Sequence, residues 1–292
     1  MRVTQSMLSS NMLRNLSNSY NKLGKLQEQV YTGKKVNRPS DDPVTVMKGM
    51  GYRMQVDKVA QFKRNMGEVH NWLDNTDDAL DKVGSALKRA NELVVNGSTD
   101  TMTAEDREKL QAELKQLQEQ IRDLANTKVG NKYLFSGTKT SEPLYKDGQW
   151  NSETNEKEVL IEVFDGVTLD VNTDGKIFKS IDDELEKLTG LLDPDNANLD
   201  QASFDAAIEG IQGQLDEVLK IRADIGARQN RAEMAEDRLD TLEVSSKKQM
   251  SENEDVDMEK AITEMITEEA IHRAALSVGA RIIQPSLVDF LR

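Results

Sequence analysis

Apolar residues recur at alternating intervals of three and four over most of this chain, the spacing that lines one side of an α-helix. The longest run is Tyr52, Gln55, Val59, Phe62, Met66, Val69, Leu73, Thr76, Leu80, Val83, Leu87, Ala90 and Val94. A helix over that stretch is about 65 Å long at about 1.5 Å per residue. No single globular core needs a straight element of that length, so the pattern predicts a rod. The large apolar residues from Met66 to Val94 are worth on the order of 10–20 kcal/mol if buried, and they therefore require partner helices. Leu110, Leu114, Leu117, Ile121 and Leu124 predict the first partner, opened by the capping-box-like Thr103-Ala104-Glu105-Asp106. The turn Asn96-Gly97-Ser98-Thr99-Asp100 is short, which makes this partner antiparallel. Ile211, Leu215, Val218, Arg222 and Ile225, continued by Ala232 and Leu239, predict the second.

Both ends of the chain carry the same spacing. A helix from about Ser6 to Tyr31 presents Leu13, Leu16, Tyr20, Leu23 and Val30 as a coiled-coil seam, with Leu8 and Met12 widening its apolar side. It stops at Thr32-Gly33, where glycine suits a left-handed cap. Residues 33–42 are polar and irregular, and Pro43 then fits the first position of a new helix with Asp42 as its N-cap. The last helix presents Met258, Ile262 and Met265, then Ile271, Ala275, Val278 and Ile282, offset from Leu276 and Ile283. Apolar surface on more than one face exceeds what one partner helix covers, which points to contacts with neighbouring copies or to burial within the same subunit.

The texture changes between residues 131 and 176. Tyr133-Leu134-Phe135, Leu144-Tyr145, Val159–Phe164 and Val167–Val171 read as strands, with hairpin turns at Asp147-Gly148 and Asp165-Gly166. A short helix near Ile177–Leu192 and the loop Asp193–Asp200 return the chain to the bundle. The expected fold is mainly α: an elongated antiparallel helical bundle or coiled coil with paired N- and C-terminal helices and a small β-rich insertion at its distal end. Its expected divisions are a terminal assembly domain (1–42 with 247–292), a helical rod (43–130 with 177–246) and a β-rich outer domain (131–176).

Charge changes this picture at the ends. Residues 1–40 hold seven bases and one acid, whereas residues 251–292 hold nine acids and four bases. Opposite charge favours pairing the two ends with each other. Over the whole chain the net charge of −14 argues against nucleic acid as a partner. Only 4% of residues are aromatic and 31% are charged, as in long helices rather than one compact globule. Without cysteine there is no disulfide, thiolate nucleophile or cysteine metal site. No apolar run is long enough to span a membrane as a helix, and the start of the chain lacks the apolar core of a secretory signal peptide.

Nothing nominates a catalytic residue, a metal site or a cofactor. His70 and His272 lie on different helices and fit structural roles. Asp193, Asp195 and Asn198 echo a calcium loop but lack its turn glycine, and Phe204 stands where its closing glutamate belongs. No nucleophile elbow, phosphate loop or dinucleotide fingerprint occurs. The methionines Met47, Met50, Met54 and Met66 suit either core packing, the commoner use, or an adaptable binding face.

Three segments carry a family resemblance. Arg38-Pro39-Ser40-Asp41-Asp42-Pro43 after a short N-terminal helix resembles the linker of flagellins and hook–filament junction proteins. Ala223-Asp224-Ile225-Gly226-Ala227-Arg228-Gln229-Asn230-Arg231 resembles the Val-Gly-Ala-Arg-x-Asn-Arg segment on the returning helix of that superfamily. Asn131-Lys132-Tyr133-Leu134-Phe135-Ser136-Gly137 looks like the opening of the β domain in the junction branch, the third hook-associated proteins. Pro43-Val44, where flagellins usually continue Ala-Ala-Gly, favours that branch, and Gln284–Arg292 fits its C-terminus.

The resemblance implies a structural subunit and no enzyme. It implies export without a cleaved signal peptide through the flagellar export apparatus, aided by a cytoplasmic chaperone. It further implies ring assembly outside the cell between the hook-side junction protein and flagellin, with the terminal helices lining an inner tube. Flagellin itself, a cytoplasmic coiled-coil adaptor and an enzyme housed in 131–176 are the rival expectations.

Overall fold

The computed structural model describes residues 5–98, 103–146, 148–151, 157–193 and 201–283. Among the described residues, six helices and six short strands follow in the order α1 (Gln5–Thr32), α2 (Pro43–Gly97), α3 (Ala104–Ala125), β1 (Lys128–Val129), β2 (Lys132–Tyr133), β3 (Tyr145–Lys146), β4 (Gln149–Trp150), β5 (Leu160–Phe164), β6 (Val167–Asp170), α4 (Lys176–Leu191), α5 (Gln201–Glu254) and α6 (Met258–Ile283). They form two compact units, Val59–Thr241 and Met1–Lys58 with Leu242–Arg292, so that α2 and α5 each contribute a segment to both.

In the Val59–Thr241 unit the long seam of α2 behaves as its spacing requires. Every seam residue from Val59 to Val94 is buried, including Thr76, whose hydroxyl donates to the Trp72 carbonyl at 2.7 Å. The partner on α5 buries Phe204, Ile211, Val218, Ile225, Ala232 and Leu239, a strict step of seven. The two helices run antiparallel, because their polar contacts pair rising numbers with falling ones. Arg222 meets Asp77 at 2.8 Å, Gln229 meets Asp74 at 2.9 Å, His70 meets Glu236 at 3.0 Å and Lys63 meets Asp240 at 2.7 Å.

α3 starts as its capping pattern predicts, with the Thr103 hydroxyl accepting from the Asp106 N–H. Its buried positions are Leu114, Gln118, Ile121 and Ala125, while Leu110, Leu117 and Leu124 are only half-buried. The reason is α4, which sequence spacing treated as a mere return. It packs antiparallel on α3 through Ile177, Phe178, Ile181, Leu185 and Leu188. Asp182 on α4 accepts from Gln118 and Arg122, each at 2.8 Å. A helix facing two partners buries a second set of positions, one of them polar and paired across the contact.

The strands form three separate two-stranded antiparallel ribbons, β1–β2, β3–β4 and β5–β6. Gly166, at φ +71°, closes β5–β6 as its Asp-Gly signal predicts. Asp147, half of the other predicted turn, lies outside the described residues. Leu134 and Phe135 are not strand. They plug the core instead, Phe135 meeting Phe178 edge-on at 4.6 Å between ring centroids. Of the β1–β2 ribbon around Gly130, the sequence pattern caught only Tyr133, because two-residue strands leave no alternation to detect.

The β5–β6 ribbon is tied to α2 and α5. Phe164 stacks on Phe62 of α2 at 6.0 Å with Arg238 of α5 over its ring, and Asn65 of α2 donates to the Glu162 carbonyl at 2.7 Å.

Candidate assembly surface

α1 and α6 pair with each other, as opposite charge at the two ends predicts. Gly279 faces Met12, and Tyr20 and His272 bring their rings to 6.0 Å, so the pair is antiparallel. The residues that meet differ from the predicted seam. On α1 the covered line is Met12, Leu16, Ser19, Leu23, Leu26 and Val30; on α6 it is Ala261, Met265, Glu268, His272, Ala275 and Gly279.

Leu16, Leu23, Val30 and Met265 therefore sit where the spacing put them. Leu13 and Tyr20 do not; they remain 58% and 67% exposed. Met258, Ile262, Ile271, Leu276 and Val278 are likewise exposed, and Ile266 joins them. The contact selects small residues on α6, above all Ala261, Ala275 and Gly279, because these let the helices approach closely. A β-carbon on Gly279 would collide with the Met12 thioether. The large apolar residues are thereby turned outward. The side chains of Ile282 and Ile283, and the segment Gln284–Arg292, lie outside the described residues, as do Asp195 and Asn198 of the suspected calcium loop.

The covered line is not a fully satisfied core. The Ser19 hydroxyl and His272 Nδ1 are buried with no hydrogen-bond partner among the described residues. An unmade hydrogen bond of this kind costs about 1–3 kcal/mol. These orphaned polar atoms weaken the pair at its centre.

The segment between α1 and α2 is organised by a second set of contacts. Gly33 adopts φ +70° and its N–H donates to the Gln29 carbonyl at 2.9 Å, ending α1 as predicted. The chain then bridges to the break between α5 and α6. The Lys35 N–H donates to the Glu254 carbonyl at 2.7 Å, and the Val256 N–H donates to the Gly33 carbonyl at 2.9 Å. The Lys34 ammonium contacts Asp255 at 2.7 Å and Glu254 at 3.5 Å, and Arg53 reaches the same Glu254 carboxylate at 2.7 Å.

Glu254 is 8% exposed, a degree of burial that a carboxylate tolerates only with cations beside it. The bond with Lys34, together with the Ser251 hydroxyl, holds the Asp255 carboxyl below its ordinary value of 3.8. The bond with Asp255 correspondingly raises the Lys34 ammonium above 10.5.

Each residue of the linker motif has a role in this clasp. Arg38 to Asp41 form a turn closed by the Asp41 N–H on the Arg38 carbonyl at 2.9 Å, with Pro39 and Ser40 at its corners. Asp41 pairs with Lys25 at 3.2 Å and Arg38 with Glu28 at 3.8 Å. Asp42 caps α2, accepting from the N–H groups of Val44 and Thr45 at 3.1 and 3.2 Å, and Pro43 opens the helix. Those bonds hold the Asp42 carboxyl below 3.8, the Thr45 hydroxyl contributing most.

The second motif acts elsewhere. Arg228 on α5 pairs with Asp170 and Asp224, each at 2.7 Å, and donates to the Asn172 carbonyl at 3.1 Å, pinning the end of the β5–β6 ribbon to the helix. Among the described residues no group of histidines and acids is arranged to hold a metal ion, and no helix is long and apolar enough to cross a membrane.

Known proteins share this plan. The models of the bacterial flagellin N-terminal and C-terminal helical regions match residues 3–140 and 208–291. The flagellar hook-associated protein 3 of Salmonella typhimurium is 25% identical over 94% of this chain and 95% of its own length. A flagellin of Halalkalibacterium halodurans is 26% identical over 93% of this chain and 92% of its own. A solved structure from Vibrio parahaemolyticus described as a flagellar hook-associated protein superimposes with a TM-score of 0.64 at 25% identity, covering 74% of this chain and 100% of that one. Flagellar hook associated protein-3 from Legionella pneumophila has the same fold, with a TM-score of 0.62 over 69% of this chain and 97% of its own. Matched at both helical ends by the family's models, the chain belongs to the flagellin superfamily, whose members are structural subunits of the bacterial flagellum and not enzymes.

Proposed function

We propose that this chain is a hook–filament junction subunit and that the outward faces of α1 and α6 join it to further copies in a ring. One observation carries the proposal: α6 turns small residues towards α1, and the pair leaves Leu13, Tyr20, Met258, Ile262, Ile271, Leu276 and Val278 largely exposed. Apolar surface of that extent on paired helices needs a partner. In this reading segments 1–42 and 247–292 are the assembly domain, 43–130 with 177–246 the supporting rod, and 131–176 the outward-facing part. Ile282 and Ile283 extend the α6 face.

The neighbours above and below the ring are the hook-side junction protein and flagellin. Delivery to the cell exterior runs through the flagellar export apparatus with a cytoplasmic chaperone and without a cleaved signal peptide. Pro43-Val44 after Asp42 and the full-length similarity to a hook-associated protein 3 support a junction role.

A filament subunit is the second reading, favoured by the equally extensive similarity to a flagellin. Deleting the gene separates the two. Loss of a junction subunit releases flagellin monomers into the medium from cells that still make hooks. Loss of the filament subunit leaves no flagellin to release, and that outcome contradicts the junction role.

A further inference from the structure

The methionines of α2 are not core, with the exception of Met66. Met47, Met50 and Met54 stand on one face at steps of three and four, and Met47 and Met54 are 73% and 71% exposed, with Val44 exposed one turn earlier. Unbranched, polarisable thioethers in a row make a surface that adapts to an apolar partner. Three exposed methionines on one helix face leave apolar surface in water.

We propose that this strip is the seat for α6 of a neighbouring copy, which docks through Met258, Ile262 and Ile266. The inference rests on the self-assembly proposed above and names the surface that receives one of its faces. Three observations select this occupant.

The first is charge. Residues 43–58 carry three bases (Lys48, Lys58 and Arg53, the last already paired with Glu254) against one acid, whereas the first half of α6, residues 258–270, carries four acids against one base. An otherwise acidic molecule thus offers a basic apolar strip to the acidic first half of α6, and complementarity of this kind favours one partner and register.

The second is length. The methionine row extends about 10 Å and the α6 row about 12 Å, at about 1.5 Å per residue. The third is that both faces are exposed in the same subunit, so each remains open for another molecule. Two different faces meeting in one direction make a heterologous contact, which propagates into a ring or a helical array.

The chain has no cysteine, which permits a direct test. Met50→Cys and Ile262→Cys subunits, each with a different tag, are produced together in cells lacking the wild-type protein. Isolated flagella are then oxidised and resolved without reductant. The expected product is a disulfide dimer carrying both tags, severalfold more abundant than dimers carrying one tag, and absent when either variant is produced alone. Single-tag dimers in equal yield, a bond to a different protein, or no dimer from cells that swim overturns the docking of α6 on the strip. A separate control, Leu16→Asp, addresses the underlying reading: normal swimming of that variant removes self-assembly through the terminal helices, whichever way the disulfides fall.

Discussion

Glu254 is enclosed on one side by Lys34 and Arg53 and on the other by Gly49, whose missing side chain leaves room for the carboxylate. A β-carbon at Gly49 would stand on the Glu254 oxygen. Gly49→Ala is therefore expected to push Glu254 off its cations and cost about 1–3 kcal/mol, the range for overpacking a filled site, read as a lower urea midpoint for the Met1–Lys58 and Leu242–Arg292 unit. The neighbouring pair gives a pH dependence. Asp255 is held below 3.8 by Lys34, so its contribution is present above that value and fades as pH falls through the lowered one. Lys34 is held above 10.5, so its contribution fades only as pH rises through the raised value. Hydrogen-exchange protection of the Lys35 and Val256 amides, corrected for the intrinsic exchange rate, should fall below about pH 4, and Lys34→Gln should shift the onset toward neutral pH. Protection independent of pH contradicts this. The caps at Asp42, Gly33 and Thr103 were legible in the sequence because each is a local event within four residues. Glu254 was not, because its partners lie about 200 positions away and an acid in an acid-rich chain carries no signal of burial.

Helix by helix, the spacing rule located elements well and their faces unevenly. α2 and α5 were legible because a seam sustained over many turns averages out local ambiguity, as Val59 to Val94 and the seven-residue step on α5 demonstrate. α3 defeated a one-partner reading because α4 claims Gln118 and Arg122 on a second side. In α1 and α6 the rule chose large residues, as it must when apolarity is the only guide. On α6 the actual contact is made largely by small ones, Ala261, Ala275 and Gly279, and close approach is a property of shape that hydrophobicity does not encode. This selection sets up opposite expectations for residues on the two kinds of face. Leu16→Asp places a charge within the α1–α6 contact, whereas Ile262→Asp places one on the outward face. Both should abolish motility while helical circular dichroism shows the Val59–Thr241 unit still folded. The second should do so with the α1–α6 pair intact. Unimpaired swimming by either variant contradicts the role assigned to its face.

For the whole molecule, the two units differ in how their apolar residues are used. Val59–Thr241 buries its seams against its own helices, and Arg228, Asp182 and Asn126 tie the strand-containing segment to them through paired polar contacts. In the unit made from the chain ends, α6 turns small residues inward and many of its large ones outward, with Ser19 and His272 unsatisfied between the two helices. Local stability follows buried contacts, so the ends open at a lower free energy than the remainder. Hydrogen exchange on the free chain and on isolated flagella measures this directly. Amides of α1 and α6 should exchange at least about tenfold faster in the free chain than after assembly, a difference of about 1.4 kcal/mol in opening free energy, while those lining Val59–Thr241 stay slow in both. Equal protection of α1 and α6 in the two states would show that the outward faces gain no cover on assembly, and would contradict the account.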